Sequence, residues 1–219
     1  MEMRMSFHKT LDVLHQDLLE MGSLVEDLLL QAVQSLASMD SNLAQQVIFQ
    51  DDRVDEMMLK LEERCLNLIA LQQPMATDLR MIGTILKIVT DLERIADHAV
   101  DIAKTTLRLS GEKLVKPLVD IPRMAALTKE MLREALVAYV ERNTNRAEEL
   151  ADKDNEVDKL YSLLFQEIIA MMGNDKKINY QLTEFLMVAR CLERVADHAT
   201  NIGEWLIYMV SGKRQDLNL

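Results

Sequence analysis

The phrase Leu92-Glu93-Arg94-Ile95-Ala96-Asp97-His98-Ala99 returns 100 positions later as Leu192-Glu193-Arg194-Val195-Ala196-Asp197-His198-Ala199, and only Ile95/Val195 differs. Internal repetition sets architecture before any other signal, because each copy must fold to the same local plan. The repeat runs well past the phrase. Asp51-Asp52-Arg53-Val54-Asp55 resembles Asp154-Asn155-Glu156-Val157-Asp158 at an offset of 103, and Ser110-Gly111 answers Ser211-Gly212 at an offset of 101. The chain reads as a tandem duplication. Each unit has an acidic motif, an amphipathic stretch, a break, a longer stretch with a second acidic motif, and then Ser-Gly.

Apolar residues recur at helical spacing almost throughout, and no strand-like alternation competes. Six helices are expected. The first covers about Phe7 to Ala37, with Leu11, Leu14, Leu18, Met21, Val25, Leu28 and Ala32 on one stripe. The second runs from about Leu43 to Leu71. The third starts at Pro74, because proline disfavours helix in the residue before it and suits a first turn, and it ends near Leu109. The fourth runs from about Pro122 to Glu141. The fifth follows the Asn143-Thr144-Asn145 turn to about Met172, and the sixth covers about Lys176 to Val210. Short loops between long helices favour antiparallel packing. The expected fold is therefore all-α: two three-helix antiparallel bundles, residues 1–112 and 113–219, in an elongated six-helix molecule. The segment 110–122, with Gly111, Pro117 and Pro122, separates the halves.

Composition agrees and narrows the function. Hydrophobic residues make up 49% of the chain but aromatics only 4%, so Leu, Met, Ala, Ile and Val must fill the core. Nine Gly and Pro residues are too few for a turn-rich β fold. The net charge of −11 argues against a nucleic-acid partner, which needs a basic footprint. The first ten residues lack the apolar stretch of a signal peptide, and no apolar run approaches the roughly 20 residues of a membrane span. Cys65 and Cys191 lie within helical patterns with no zinc-type partner near in sequence. They read as two buried, reduced thiols of a cytoplasmic protein. The fifteen methionines read first as adaptable core filler, second as a pliable binding surface at Met57-Met58 and Met171-Met172.

The acidic motifs carry the chemistry. Glu93 and Asp97 are four apart, so both carboxylates leave one helix face. Asp101 extends that row by a turn, and Asn201 stands in its place in the second half. Asp51/Asp55 and Asp154/Asp158 have the same spacing. The midpoint between the two first-half pairs is residue 74, at the first hairpin break. The corresponding second-half midpoint falls between 175 and 176, at the Gly173-Asn174-Asp175 break. Antiparallel folding would thus bring two pairs to one height on adjacent helices, in both halves.

Four converging carboxylates repel: at ~4 Å two like charges cost about 4 kcal/mol at an effective dielectric of 20. Raised pKa values would offset this, as would Arg53, Arg94, Arg190 or Arg194, or bound hard cations such as Mg²⁺, Ca²⁺, Mn²⁺ or iron. A single acidic pair is most simply a solvated helix face. Four pairs in matched, duplicated register favour a metal site. His98 and His198 point about 100° from the preceding acid, as edge ligands or supports. No enzyme motif appears: no Glu is followed by His three positions on, as di-iron bundles require, and there is no Gly-rich phosphate loop or nucleophile elbow.

These residues resemble the PhoU family from about Ser6 to Gly212, through Gln73-Pro74-Met75-Ala76-Thr77-Asp78-Leu79-Arg80 and the duplicated Leu-Glu-Arg-hydrophobic-Ala-Asp-His phrase, extended in the second copy to Ala199-Thr200-Asn201-Ile202. The resemblance implies two three-helix bundles with approximate twofold symmetry. It also implies a multinuclear metal cluster in each half, iron first, with zinc, manganese, magnesium or calcium as alternatives. Carried over, one cluster would use Asp51, Asp55, Glu93 and Asp97, and the other Asp154, Asp158, Glu193 and Asp197. Asp101 facing Asn201 makes the two unequal in charge. For function it implies a cytoplasmic, non-enzymatic negative regulator of phosphate uptake and of phosphate-starvation (Pho regulon) signalling. Such a protein would link the ATPase subunit of a phosphate ABC transporter to a sensor histidine kinase, peripheral to the membrane complex and as a homodimer. A metal-storage or metal-buffering bundle is the alternative, and a purely structural scaffold a third.

Overall fold

A computed structural model describes residues 2–217; Met1, Asn218 and Leu219, the outermost residues of the two expected units, lie outside the described residues. Helices occupy Glu2–Ser38 (α1), Ser41–Gln72 (α2), Thr77–Arg108 (α3), Asp120–Glu141 (α4), Thr144–Glu148 (α5), Leu150–Met171 (α6) and Lys176–Ser211 (α7), with no strand among the described residues. No helix is long and apolar enough to cross a membrane among those residues.

The helix ends follow local chemistry. The Asp40 carboxylate accepts from the backbone N–H groups of Asn42 and Leu43, and Asp175 does the same for Lys177 and Ile178. Each satisfies orphan donors of a first turn. Asp175, expected as part of a helix break, is thus the cap that starts α7. Asn143 caps α5 through Arg146 N–H. Gly212, the second glycine of the repeated Ser-Gly, takes φ 73° to close α7, a conformation that favours glycine.

Two expectations are revised. Pro74 does not open the third helix. Gln73 turns left-handed (φ 46°) and donates to Ile69 O to close α2, Ala76 takes φ 47°, and α3 begins only at Thr77. The proline sits in a short linker between two left-handed residues. The expected fifth helix is divided at Glu149 into α5 and α6. The division lets Ala147 and Leu150 seat on Gly203 of α7. A Cβ there would meet Leu150 Cδ1 at 2.8 Å and Ala147 O at 3.4 Å.

In the first half α1, α2 and α3 pack pairwise; in the second, α4, α6 and α7 do so, with α5 against α7. The halves meet along α3 and α7, the most extensive helix pair, and along α1 and α4. One contiguous apolar core runs from Phe7 to Met209 across both halves. It consists mostly of Leu, Ile, Val and Ala, with fully buried Met21, Met124 and Met131. Met57, Met58 and Met172 pack against its edge, while Met171 is exposed. Cys65 and Cys191 are buried free thiols.

Polar bonds pin the junction between halves. Arg108 of α3 donates through Nε and Nη2 to the Glu184 carboxylate of α7 at 3.0 and 2.7 Å, and the Thr105 hydroxyl adds a bond of 3.2 Å. Burial pushes Glu184 up, but Arg108, Tyr180 and Thr105 together hold it below the usual range. Between α1 and α4, His15 Nδ1 lies 2.6 Å from the Tyr139 hydroxyl.

Candidate metal centre

The inner helices α3 and α7 place Glu93/Asp97 and Glu193/Asp197 beside the Asp pairs of α2 and α6. The apolar stripe of α3 explains the orientation: Leu92, Ile95, Ala96 and Ala99 are fully buried, which fixes Glu93 and Asp97 along the groove toward α2. The same logic in α7 buries Leu192, Val195, Ala196 and Ala199.

The four first-half carboxylates act on one another. Burial, then the charges of Asp55, Asp97 and Glu93, pushes Asp51 up to about 6. Glu93 is also raised, by burial and then by Asp97, against the Arg94 cation. In the second half the crowding is tighter. Burial, then Asp158, Asp197 and Glu193, pushes Asp154 up to about 7. Asp158 and Glu193 are raised by burial and by Asp197. Asp154 is only 7% exposed, and its Oδ1, like Glu193 Oε2, is a buried oxygen with no hydrogen-bond partner. Buried oxygens without partners call for an explanation, such as an ion.

Arginines line the rim. Arg94 reaches Glu93 at 3.3 Å and Asp97 at 2.9 Å; Arg194 reaches Asp197 at 3.0 Å and Glu193 at 3.9 Å. Arg190 pairs with Glu193 only in the second half, since Thr90 stands at its counterpart. Arg53, named with these as a neutralising cation, instead pairs with Glu20 at 2.8 Å. The cations face the outer carboxylates, while Asp51 and Asp154 keep raised pKa values. The donor set is oxygen only, which suits hard cations. Four carboxylates offer up to eight oxygens, enough to bridge more than one ion. Asp51, Asp55, Glu93 and Asp97 would hold one group, and Asp154, Asp158, Glu193 and Asp197 the other.

Two residues of the acidic rows lie elsewhere. Asn201 donates to Asp91 Oδ1 at 3.2 Å, and His198 Nδ1 lies 2.9 Å from the same oxygen. Asp101 gathers with His98 and Cys191. Both rows have turned from the hairpin groove to the junction between halves, where the His98 and His198 rings face each other at 5.9 Å. Sequence reading missed Asp91 altogether: nothing local distinguishes it, and its partners come from the other repeat.

Comparisons with known proteins identify the family and the fold. The PhoU domain matches twice, at residues 18–106 and 121–206. The chain is 45% identical over 216 residues to the phosphate-specific transport system accessory protein PhoU homolog of Clostridium acetobutylicum, covering 98% of this chain and 99% of that one. It is 35% identical to the homolog of Streptococcus pneumoniae over 216 residues, covering 99% of this chain and all of that one. The crystal structure of PhoU from Pseudomonas aeruginosa superposes with a TM-score of 0.90 at 35% identity, over 94% of this chain and all of that one. The phosphate transport system regulatory protein PhoU from S. pneumoniae superposes with a TM-score of 0.89 at 34% identity, over 96% of this chain and all of that one. With the duplicated acidic hairpin, the domain matched in both halves and the same fold in solved relatives, this chain belongs to the PhoU family.

Proposed function

We propose that this chain is an accessory protein of a phosphate-specific transport system, a negative regulator of phosphate uptake and of phosphate-starvation signalling. It acts without catalysis of its own, in the cytoplasm, as a homodimeric adaptor between the transporter's ATPase subunit and a sensor histidine kinase. The names of its relatives support the transport assignment. The observation that carries the mechanism is the pair of matched carboxylate quartets, in which burial first and the neighbouring acids second raise Asp51 to about 6 and Asp154 to about 7.

When bound, multinuclear cations, iron first, supply the positive charge that such a quartet lacks. This chain's residues do the rest. The paired helices hold eight carboxylates in two fixed groups, and the rim arginines grade their charge. Cation occupancy then sets whether each hairpin presents a strongly acidic or a near-neutral face. Exposed apolar side chains stand on the same helices: Phe49, Leu59 and Leu66 on α2, and Leu163 and Ile169 on α6. Apolar groups beside a switchable charge suit a docking surface better than a storage cavity, since rim charge tunes association and partner choice.

The test is binding of the ATPase subunit and of the kinase's cytoplasmic portion to the wild-type chain and to a variant with all eight acids converted to amides (Asp→Asn, Glu→Gln). Binding should change by at least tenfold in a variant of unchanged helicity. Unchanged affinity for both partners would overturn the proposal.

A further inference from the structure

The repeat places two matched clusters at the junction of the halves. Asp91, His198 and Asn201 form one. Their counterparts 100 positions away are Cys191, His98 and Asp101, which form the other. The two are chemically opposite. In the first, a buried carboxylate accepts from the Asn201 amide and bonds the His198 ring, so the cluster closes on itself. In the second, the acceptor Asp91 is replaced by a thiol and the donor Asn201 by a carboxylate. What remains is a sulfur, a carboxylate oxygen and an imidazole nitrogen, all lone-pair donors. One potential ligand atom from each lies within 4.8 Å of the other two. His98 Nδ1 is buried without any hydrogen-bond partner.

We propose that His98, Asp101 and Cys191 form a mononuclear site for a borderline-soft divalent cation of the zinc type, separate from the two carboxylate quartets. The ligand set decides the class: thiolate with imidazole selects zinc-like ions, whereas the quartets, with oxygen alone, select hard ones. Three protein ligands leave the fourth tetrahedral position to water. Tetrahedral zinc needs its ligands about 3.5 Å apart. The ligand atoms, now within 4.8 Å of one another, would have to draw together by up to about 1.3 Å, and Asp101, the exposed member, held at the surface by Lys104 at 3.8 Å, marks the entry path. Charge balances: on binding, the Cys191 thiol releases its proton to solvent, and thiolate plus carboxylate neutralise the dication. Without an ion, burial and Asp101 push that thiol up to about 12, so the cysteine is inert until a cation draws the proton off. Burial and His198 lower the His98 pKa, which keeps the ring neutral and competent as a ligand. Because Cys191 lies on α7 and the other two ligands on α3, the ion would tie the halves together.

Cobalt(II) tests this, because thiolate-bound cobalt gives an intense near-ultraviolet charge-transfer band that cobalt bound by oxygen and nitrogen alone lacks. The full-length chain, stripped by a chelator and kept reduced with a phosphine, is titrated with Co²⁺ and then with Zn²⁺. The expected result is a band saturating at one cobalt per chain and erased by zinc. It should be absent in Cys191→Ser, present in Cys65→Ser, and present when all eight quartet acids are amides. Asp101→Asn and His98→Ala should each weaken cobalt binding at least tenfold, with circular dichroism showing unchanged helicity. No band in the wild-type chain would overturn the proposal. So would a band that survives Cys191→Ser, or one lost with the quartets in a folded variant.

Discussion

Asp154 shows how a single carboxyl couples fold to function. It is held beside three other acids under α7, buried, with one oxygen unpartnered. Its proton binds with a pKa of about 7 in the folded chain against an ordinary 3.8. Between those values the native state holds a proton that the unfolded chain has lost, so stability falls as pH rises through the window. Asp51 adds the same sign between 3.8 and about 6. Metal-free protein should therefore melt at a higher temperature at pH 5 than at pH 8, the reverse of a protein whose carboxylates are well paired. Asp154→Asn should raise stability at pH 8 by roughly 1–2 kcal/mol and flatten the slope, which thermal denaturation of chelator-treated protein at several pH values would show. An unchanged slope in the variant would mean that burial and the neighbouring acids do not raise Asp154 in the folded chain.

At the scale of the helix, much was legible in the sequence. Apolar periodicity locates each helical stretch, and the hairpin midpoints place the acid pairs side by side. Pro74 suits a first turn by itself, but the positive φ of Gln73 and Ala76 keeps it in the linker, and neither residue carries a sequence signal for that conformation. Asp101 and Asn201 were read as continuations of the acidic rows. On an α-helix a step of four advances about 40° beyond a full turn, so Asp101 stands some 80° from Glu93, far enough to leave the α2 groove and face α7. The caps are a cleaner case. Asp40 and Asp175 each satisfy two backbone donors at the start of α2 and α7. Replacing either by alanine should cost about 1 kcal/mol, and the double variant should show the sum, because the two caps share no partner. Urea unfolding would check both values; a cost near zero would mean that the first turns are held by packing alone.

At the scale of the molecule, duplication does two things at once. It repeats the acidic hairpin, giving two quartets of the same residues with different rims. It also forms a junction where residues from opposite copies meet. The quartets could be read from spacing within each copy. The junction could not, because Asp91 finds His198, and Cys191 finds His98, only after the two copies pack. Cys191 therefore read as a plain buried thiol, its neighbours hidden in the other repeat. The shared core makes the halves one body, so a cation held at either quartet would stabilise the whole chain by binding the native state alone.

The proposed mechanism stands on the two carboxylate quartets being cation sites. Elemental analysis of protein purified without chelator or affinity metal measures this directly, beside a Glu93→Gln/Asp97→Asn/Glu193→Gln/Asp197→Asn variant of equal helicity. The native protein should hold a fixed, small number of tightly bound metal ions per chain, iron foremost, most of them lost in the variant. Metal content that is nil in both, or equal in both, would contradict that mechanism.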